Sequence, residues 1–426
     1  MIARRVLLVL VVLAIALVAL VAALNVRDET SSPGTPVAAS PDAIARGLYL
    51  ARAGDCIGCH TARGGAPYAG GRGIETPFGA VYAPNITPDP DTGLGRWSAD
   101  DFWRALHNGR SRDGRLLYPA FPYPNYTRVT RADADAIYAY LRSLPAVRQA
   151  NHPHELRFPF DLQPALAVWR ALFFGPGAYR PDPAQDALWN RGAYLVEGLG
   201  HCNACHSRRN ALGAPSGPLD LAGGLIPVQN WYAPSLTARD EASVAGWQAA
   251  DVVALLRDGI SARGMVMGPM SEVVLNSTQH LSSEDLAAIA RFLQSLPSAA
   301  VDARMPADAG PARGGAAARG ARLYDERCSG CHGERGEGVA RAYPALKGSR
   351  PVTMTSSANL VHVVLEGGFP PATAGNPRPF GMPPFATFLS DDDVSDLLSY
   401  IRGAWGNRAA PVSPLEVARY RETGRP

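Results

Sequence analysis

Three short stretches of the sequence carry two cysteines and a histidine in the same order and at the same spacing. They read Cys56-Ile57-Gly58-Cys59-His60, Cys202-Asn203-Ala204-Cys205-His206 and Cys328-Ser329-Gly330-Cys331-His332. Cysteines three positions apart lie on about one helical turn, where each can form a thioether with a haem vinyl group, and the adjacent histidine can bind the iron. The pattern predicts three covalently attached haem c groups, with His60, His206 and His332 as the proximal iron ligands.

A Cys-x-x-Cys pair by itself also occurs in redox-active dithiols and in zinc sites. In this chain a histidine follows the second cysteine in all three stretches, and the stretches together use all six cysteines of the sequence. No cysteine is left for a disulfide or for a further metal site. Because neither a dithiol nor zinc requires a histidine at that position, haem attachment is the favoured interpretation.

A low-spin electron-transfer haem needs a second axial ligand, and methionine raises its redox potential. Met382 is the candidate in the third copy of the motif, and Met270 is the candidate in the second, with Met267 as runner-up. The first copy has Phe121 at the corresponding position and no methionine before its last helix. His107 is a less favoured alternative there, so the first haem is expected to be five-coordinate or bound by an unexpected group.

Length and composition set the broad class of protein. The 426 residues suffice for about three domains, which gives one haem motif per domain. The formal net charge of +3 is close to balanced and argues against nucleic-acid binding. The 43 glycines and 37 prolines fit small helical domains that are joined by irregular loops.

One unit of sequence repeats around the three motifs. Each repeat opens with a helix that contains Arg-Gly, at Arg46-Gly47, Arg191-Gly192 and Arg319-Gly320. Middle helices are predicted over 101–109, 251–259 and 359–367, and closing amphipathic helices follow the N-caps Thr130, Ser282 and Ser390. Ser40 and Asp182, each followed by proline, are the predicted N-caps of the first two opening helices. Each closing helix is expected to pack across its opening helix.

The N-terminus carries an unbroken run of 19 apolar residues over 6–24, preceded by Arg4 and Arg5. As a helix this run spans about 28 Å, close to the hydrocarbon thickness of a bilayer. The apolar core of a cleaved signal peptide is only about 7–15 residues long, so an uncleaved anchor is favoured. With either alternative, the haem domains are expected on the periplasmic side of the cytoplasmic membrane.

Together these patterns predict an all-α fold of three tandem class I cytochrome c domains after an N-terminal transmembrane helix. The predicted segments are an anchor over 1–25, a tether over 26–40, domains over 41–150, 186–298 and 316–407, linkers over 151–185 and 299–315, and a tail over 408–426. Residues 162–174 of the first linker are rich in large apolar side chains. They could form a helix on the membrane, on a partner protein or between two domains.

The chain resembles one family, the triheme cytochrome c subunits of membrane-bound periplasmic alcohol and gluconate dehydrogenases. The resemblance is carried by the three haem motifs, by Tyr82-Ala83-Pro84-Asn85-Ile86-Thr87 and by Leu117-Tyr118-Pro119-Ala120-Phe121-Pro122-Tyr123. It implies haem attachment at Cys56, Cys59, Cys202, Cys205, Cys328 and Cys331, with Met270 and Met382 as distal ligands. The implied partners are a dehydrogenase catalytic subunit, a small iron–sulfur subunit, the membrane, and ubiquinone or a downstream oxidase.

Alcohol-dehydrogenase-type subunits usually carry methionine where this chain has Phe121. With Trp189-Asn190-Arg191-Gly192-Ala193-Tyr194-Leu195, the phenylalanine form looks more like the cytochrome subunits of molybdenum hydroxylases that oxidise aldehydes or N-heterocycles. This second resemblance favours a molybdenum-hydroxylase partner over a quinoprotein alcohol dehydrogenase.

No nucleotide-binding loop, nucleophile elbow or other catalytic motif occurs in the sequence. An electron-transfer subunit without a catalytic site of its own is therefore the favoured function. Two alternatives are a peroxidase-like enzyme that uses an open first haem, and a haem subunit of a terminal oxidase.

Overall fold

The computed structural model describes residues 2–27, 39–217, 220–297 and 315–423. The described chain is mostly helical, as predicted. Its α-helices are α1 Ile2–Asn25, α2 Pro41–Ala53, α3 Cys56–Cys59, α4 Ala99–Asn108, α5 Tyr123–Tyr126, α6 Arg131–Ser143, α7 Gln163–Phe173, α8 Ala187–Tyr194, α9 Ala249–Asp258, α10 Pro269–Asn276, α11 Ser283–Ser295, α12 Gly315–Arg327, α13 Ser329–His332, α14 Arg350–Thr353, α15 Ala358–Glu366, α16 Asp391–Gly403 and α17 Pro414–Thr423. A π-helical turn, Leu195–Leu199, follows α8, and 3₁₀ turns span Cys202–Ala204 and Thr278–His280. Most of the predicted tether and of the linker 299–315 lies outside the described residues.

Two small antiparallel sheets were not predicted. In the first sheet β2 (Gly79–Tyr82) lies between β1 (Gly73–Thr76) and β3 (Glu155–Leu156). The second sheet pairs β4 (Gly224–Leu225) with β5 (Tyr232–Ala233). Strands of two to four residues are too short to show the alternation of apolar and polar residues by which strands are predicted.

The described residues form two compact units. Unit 1 comprises Met1–Pro181, Glu197–His201 and Asn210–Ala214, and unit 2 comprises Asp182–Val196, Cys202–Arg209 and Pro215–Pro426. Unit 1 therefore holds the first repeat, and unit 2 holds the third repeat and most of the second. The division into three domains stays a prediction.

The opening and closing helices cross closely in every repeat, as predicted. The crossing pairs are α2 with α6, α8 with α11, and α12 with α16. The glycine of each Arg-Gly pair lies at the crossing. A Cβ on Gly47 would overlap the carbonyl of Ala136 and lie 2.7 Å from Cβ of Tyr140, and Gly192 and Gly320 have equivalent surroundings. The helices can approach this closely only because glycine has no side chain.

The arginine that precedes this glycine binds an aspartate of the closing helix. The three ion pairs are Arg46 with Asp133, Arg191 with Asp285, and Arg319 with Asp396. In the first two repeats the aspartate is the third residue of the closing helix, whereas Asp396 lies one turn further along. Each glycine crossing is thus joined by one ion pair.

The helix ends largely follow the predicted signals. The side chains of Thr130, Ser282 and Ser390 accept the amide hydrogens of the third residues of their helices, as predicted. Gly109, Gly259 and Gly367 end the three middle helices. Ser40 caps α2, also as predicted.

The predicted N-cap at Asp182 is wrong. The side chain of Asp182 instead accepts the Ala184 amide in a turn, at 2.9 Å. Helix α8 begins four residues later than expected, because the Asp186 carboxylate accepts the Trp189 amide at 2.7 Å and so caps the helix. Aspartate is a favoured N-cap at either position. The prediction chose Asp182 because a proline follows it, and no proline follows Asp186.

Besides α1, two helices of the described residues lie outside the three repeats. Residues 163–173 of the first predicted linker form α7, which packs against the end of α1. Residues 414–423 of the predicted tail form α17, which packs on α15 and α16. Val412 and Val417 join the apolar core of the third repeat there.

Candidate haem attachment sites

Each haem motif folds into a single helical turn shortly after its opening helix. The turns are Cys56–Cys59, Cys202–Ala204 and Ser329–His332. In each turn the histidine amide donates to the carbonyl oxygen of the first cysteine, at 3.0, 2.9 and 2.9 Å. The predicted placement of both cysteines and the histidine on one turn is therefore confirmed.

All three histidines have the same fixed ring orientation. Nδ1 of His60 donates to the carbonyl oxygen of Pro84 at 2.7 Å, Nδ1 of His206 donates to that of Pro234 at 2.7 Å, and Nδ1 of His332 donates to that of Pro344 at 2.9 Å. A carbonyl oxygen can only accept, so Nδ1 carries the hydrogen and Nε2 keeps its lone pair. Metal-binding histidines adopt this tautomer, with the other ring nitrogen donating to a carbonyl or carboxylate oxygen.

The surroundings keep these histidines neutral. Burial lowers the pKa of His60, His206 and His332, and the bond to the proline carbonyl opposes that shift only in part. Burial also raises the pKa of the first cysteine of each motif, to about 12 for Cys56 and Cys202. The first cysteine of each motif is therefore a protonated thiol at neutral pH, and the motif histidines are neutral imidazoles.

These residues fit a covalently attached haem. All six cysteines are free thiols, and three of the five residues in every motif match the attachment chemistry. Among the described residues no group of three or more His, Cys, Asp or Glu side chains could hold a bare metal ion. Zinc, which takes four such ligands in structural sites, has no matching cluster there.

The predicted distal methionines, Met270 and Met382, both lie in unit 2. Met382 pairs with Gly368 through two backbone hydrogen bonds of 2.8 and 2.9 Å, and its side chain packs on the core of the third repeat. Met270 is the second residue of α10. The methyl carbon of Met267 lies 3.2 Å from the position of a Cβ on Gly368. The structure therefore brings the loop of Met267 against the loop of Met382.

In the first repeat the ring of Phe121 lies beside Tyr126, with centroids 5.3 Å apart. The hydroxyl of Tyr126 donates to the carbonyl oxygen of Gly54 at 3.1 Å, just before the haem motif. His107 is buried elsewhere in this repeat, stacked on Trp103 with ring centroids 4.5 Å apart. The side chain at the methionine position is thus tied to the haem motif through Tyr126.

Comparison with known proteins identifies the family. The family described as Cytochrome c matches residues 44–145 and 317–405. The cytochrome c subunit of the quinone alcohol dehydrogenase from Gluconacetobacter polyoxogenes is 38% identical over 412 residues, which are 92% of this chain and 88% of that protein. The chain belongs to the family of cytochrome c subunits of dehydrogenases.

Two further relatives show how far this similarity extends. The gluconate 2-dehydrogenase cytochrome c subunit of Pantoea cypripedii is 39% identical over 400 residues, 89% of each chain. One of the nicotinate dehydrogenase subunits of Pseudomonas putida is 44% identical over 367 residues, which are 84% of this chain and 30% of that protein. The chain is accordingly an electron-transfer subunit that binds haem c, and it is not itself the catalytic subunit.

Sequence reasoning missed the carbonyl groups that hold the proximal histidines. The repeated Tyr-Ala-Pro segments at 82–84 and 232–234, and Tyr343-Pro344 in the third repeat, were visible in the sequence. Their periodicity could have marked Pro84, Pro234 and Pro344, because a segment that recurs with each haem motif indicates a shared role.

Proposed function

We propose that this cytochrome c subunit carries three haem c groups, one in each repeat. The observation that supports this most strongly is the bond from each motif histidine to a proline carbonyl, made three times with nearly the same length. The second repeat lies outside the residues matched by the Cytochrome c family. The proposal of a haem in the second repeat therefore depends on the motif of that repeat and on the bond between His206 and Pro234.

The residues of the chain have three roles in this function. The cysteine thiols would hold the haem through thioether bonds, and the histidine Nε2 atoms would bind its iron, with their rings oriented by the proline carbonyls. Met270 and Met382 are the proposed distal ligands, and the contact of Met267 with Gly368 favours Met270 over Met267. Bound haem supplies reversible one-electron oxidation and reduction, while the protein sets its potential by ligand and burial.

We infer that electrons come from a catalytic subunit of the molybdenum-hydroxylase type and pass to ubiquinone or the respiratory chain. Two observations support this partner over a quinoprotein alcohol dehydrogenase. Phe121 replaces the methionine that is usual in alcohol-dehydrogenase-type subunits, and a relative named for nicotinate, an N-heterocycle, is 44% identical. The apolar helix α1, 24 residues long, would anchor the complex with the haem domains in the periplasm.

Counting the haems tests the first part of the proposal. The denatured, acid-acetone-washed chain should have the mass of the polypeptide plus three haems. Replacing Cys202 and Cys205 by alanine should remove one haem and leave two. A wild-type mass that corresponds to two haems, unchanged in that variant, would show that the second repeat binds none.

Purification from membranes tests the second part. A tag on this subunit should copurify a large molybdenum-containing subunit, and adding its substrate should reduce the haems. Copurification of a quinoprotein dehydrogenase instead would overturn the choice of partner but not the haem count. Reoxidation by a ubiquinone analogue, compared with an oxidase-containing membrane fraction, identifies the acceptor.

A further inference from the structure

Helix α7 turns an uncharged apolar face away from the protein. Its inward face is buried through Leu166, Arg170 and Phe174. At 100° per residue the opposite face contains Val168 and Leu172, whose exposed fractions are 47% and 64%. Arg170 is the only charged residue of α7. A helix that faces water normally carries polar side chains on its outer side, so this face indicates another covering.

The end of α1 is firmly joined to α7. Nδ2 of Asn25 donates to the carbonyl oxygen of Ala167 at 2.9 Å, and Nε of Arg170 donates to Oδ1 of Asn25 at 2.9 Å. Arg27, just beyond α1, donates to the carbonyl oxygen of Phe174 at 2.9 Å. Bonds at both ends of the contact therefore hold α7 beside the last turn of α1.

The guanidinium of Arg170 also fixes α7 to the first repeat. It lies 5.0 Å from the ring centroid of Tyr123 and 4.8 Å from that of Phe174, and Nη1 donates to the carbonyl oxygen of Gly109 at 3.3 Å. Only 2% of this arginine is exposed. Because its charge is directed inward, nothing charged on α7 would have to leave water if the outer face entered lipid.

The contact between Asn25 and α7 lies where α1 would leave a bilayer. The apolar run over 6–24 accounts for about 28 Å of helix, against a hydrocarbon core of about 30 Å. Asn25 is the first polar residue after that run and is also the residue bound by α7. Trp169, a residue type enriched at membrane interfaces, lies on α7 next to Val168.

We propose that α7 lies in the interface of the membrane crossed by α1, with Val168 and Leu172 among the upper acyl chains. The occupant of this face is lipid, because the face continues directly from the point where α1 emerges. The same contact holds the first repeat close to the membrane surface through Arg170. The positive charge of Arg27, which is exposed two residues after Asn25, adds attraction to anionic headgroups.

Nitroxide labels on the full-length holoprotein test this placement. The native cysteines are consumed in thioethers, so a label reacts only with the introduced cysteine of L172C or V168C. In vesicles of phosphatidylethanolamine and phosphatidylglycerol, both labels should be more accessible to oxygen than to a water-soluble nickel chelate. The matched controls are L225C and V228C, at exposed fractions of 50% and 46% in unit 2, and they should show the opposite preference.

Three results would overturn the proposal. The first is nickel accessibility at positions 168 and 172 equal to that of the controls. The second is protection of these labels that arises only after the dehydrogenase catalytic subunit is added, because α7 would then be a protein-docking surface. The third is a membrane-bound mature chain that begins after residue 25 by mass spectrometry. Using two label positions guards against one variant that does not fold.

Discussion

The indole ring of Trp231 lies nearly parallel to the imidazole ring of His362, with centroids 4.9 Å apart and 16° between the planes. Trp231 belongs to the second repeat and His362 to α15 of the third. The next residue, Tyr232, exchanges two hydrogen bonds of 2.8 Å with the side-chain amide of Asn359 on the same helix. The carbonyl of Pro234, two residues further on, orients His206. Residues 231–234 thus hold α15 and a proximal histidine together.

Replacing Trp231 by leucine should loosen this connection. Aromatic pairs contribute about 0.5–1.5 kcal/mol beyond the area they bury, and a tenfold change corresponds to about 1.4 kcal/mol. Hydrogen exchange in residues 231–234 and in α15 should therefore accelerate up to about tenfold. Mass spectrometry of peptides from the holoprotein measures this rate.

The control for this prediction is Trp189→Leu. Trp189 packs on Phe292 within the second repeat, with ring centroids 5.1 Å apart. This variant should accelerate exchange in α8 and α11 and leave α15 unchanged. Trp231→Phe keeps a flat ring and should have a smaller effect than leucine. Equal exchange in α15 for the two leucine variants would show that the stack does not hold α15.

A methyl group at Gly47 should force α2 and α6 apart. The Cβ of Gly47→Ala would overlap the carbonyl of Ala136, which is backbone and cannot rotate away. Overpacking of this kind costs about 1–3 kcal/mol, with the upper end expected here. Thermal unfolding followed by circular dichroism should show a transition temperature lower by several degrees.

Gly175→Ala in the same unit is the matched control. No atom lies within 4 Å of the position of its Cβ. The same change of residue type should leave the transition temperature within about a degree or raise it slightly, since alanine restricts the unfolded chain. A destabilisation equal to that of Gly47→Ala would mean that the crossing is not responsible.

Much of the fold follows from the sequence because its strongest signals are local. The single-turn haem motifs, the middle helices ending at Gly109, Gly259 and Gly367, and the N-caps all depend on residues a few positions apart. Pairing across long separations was harder to predict. The Arg46–Asp133 ion pair joins residues 87 positions apart, and neither residue alone indicates its partner.

In the candidate haem sites, too, local features could be predicted and features that depend on distant residues could not. The cysteines and histidines are recognised from a five-residue pattern, whereas the proline carbonyls are backbone atoms that any residue type could supply. The Asp182 error has a similar cause, because two aspartates four positions apart can both begin a helix. Which one does so is decided by tertiary packing of α8 on α11, which the local pattern does not contain.

Phe121→Met should supply the first haem with the distal ligand that the other repeats are proposed to have. The ring of Phe121 lies beside Tyr126, which bonds to the residue two positions before Cys56. A methionine there should convert a high-spin first haem to low spin and raise its redox potential. Electron paramagnetic resonance and a redox titration of the holoprotein measure both changes.

Phe121→Leu is the control, because it shortens the side chain without adding a ligand. It should leave the spin state unchanged. An unaltered high-spin signal in the methionine variant would show that position 121 does not face the iron. A wild-type spectrum with three low-spin haems would show that another group already binds the first one.

Glu197→Gln should make the protein more stable at neutral pH. Glu197 packs in unit 1, where its carbonyl oxygen accepts from Asn125 at 2.8 Å. Burial raises the pKa of its carboxyl above the ordinary value, although nearby Arg128 acts in the opposite direction. The folded state therefore binds this proton more tightly than the unfolded chain does. The free energy that the bound proton contributes to stability is fully present below the unfolded pKa of about 4.3, and it is lost as the pH rises through the pKa of the folded state.

Glutamine resembles the protonated carboxyl at every pH, so the variant avoids that loss. Its gain in unfolding free energy should be on the order of 1 kcal/mol or less at pH 7, because the side chain is only half-buried, and should vanish near about pH 4. Thermal unfolding across this pH range measures the difference. Glu75→Gln, on the exposed side of β1, is the control and should show no comparable pH-dependent gain. A gain of the same size at both ends of the range would show that the substitution acts through packing and that the charge of Glu197 carries no cost.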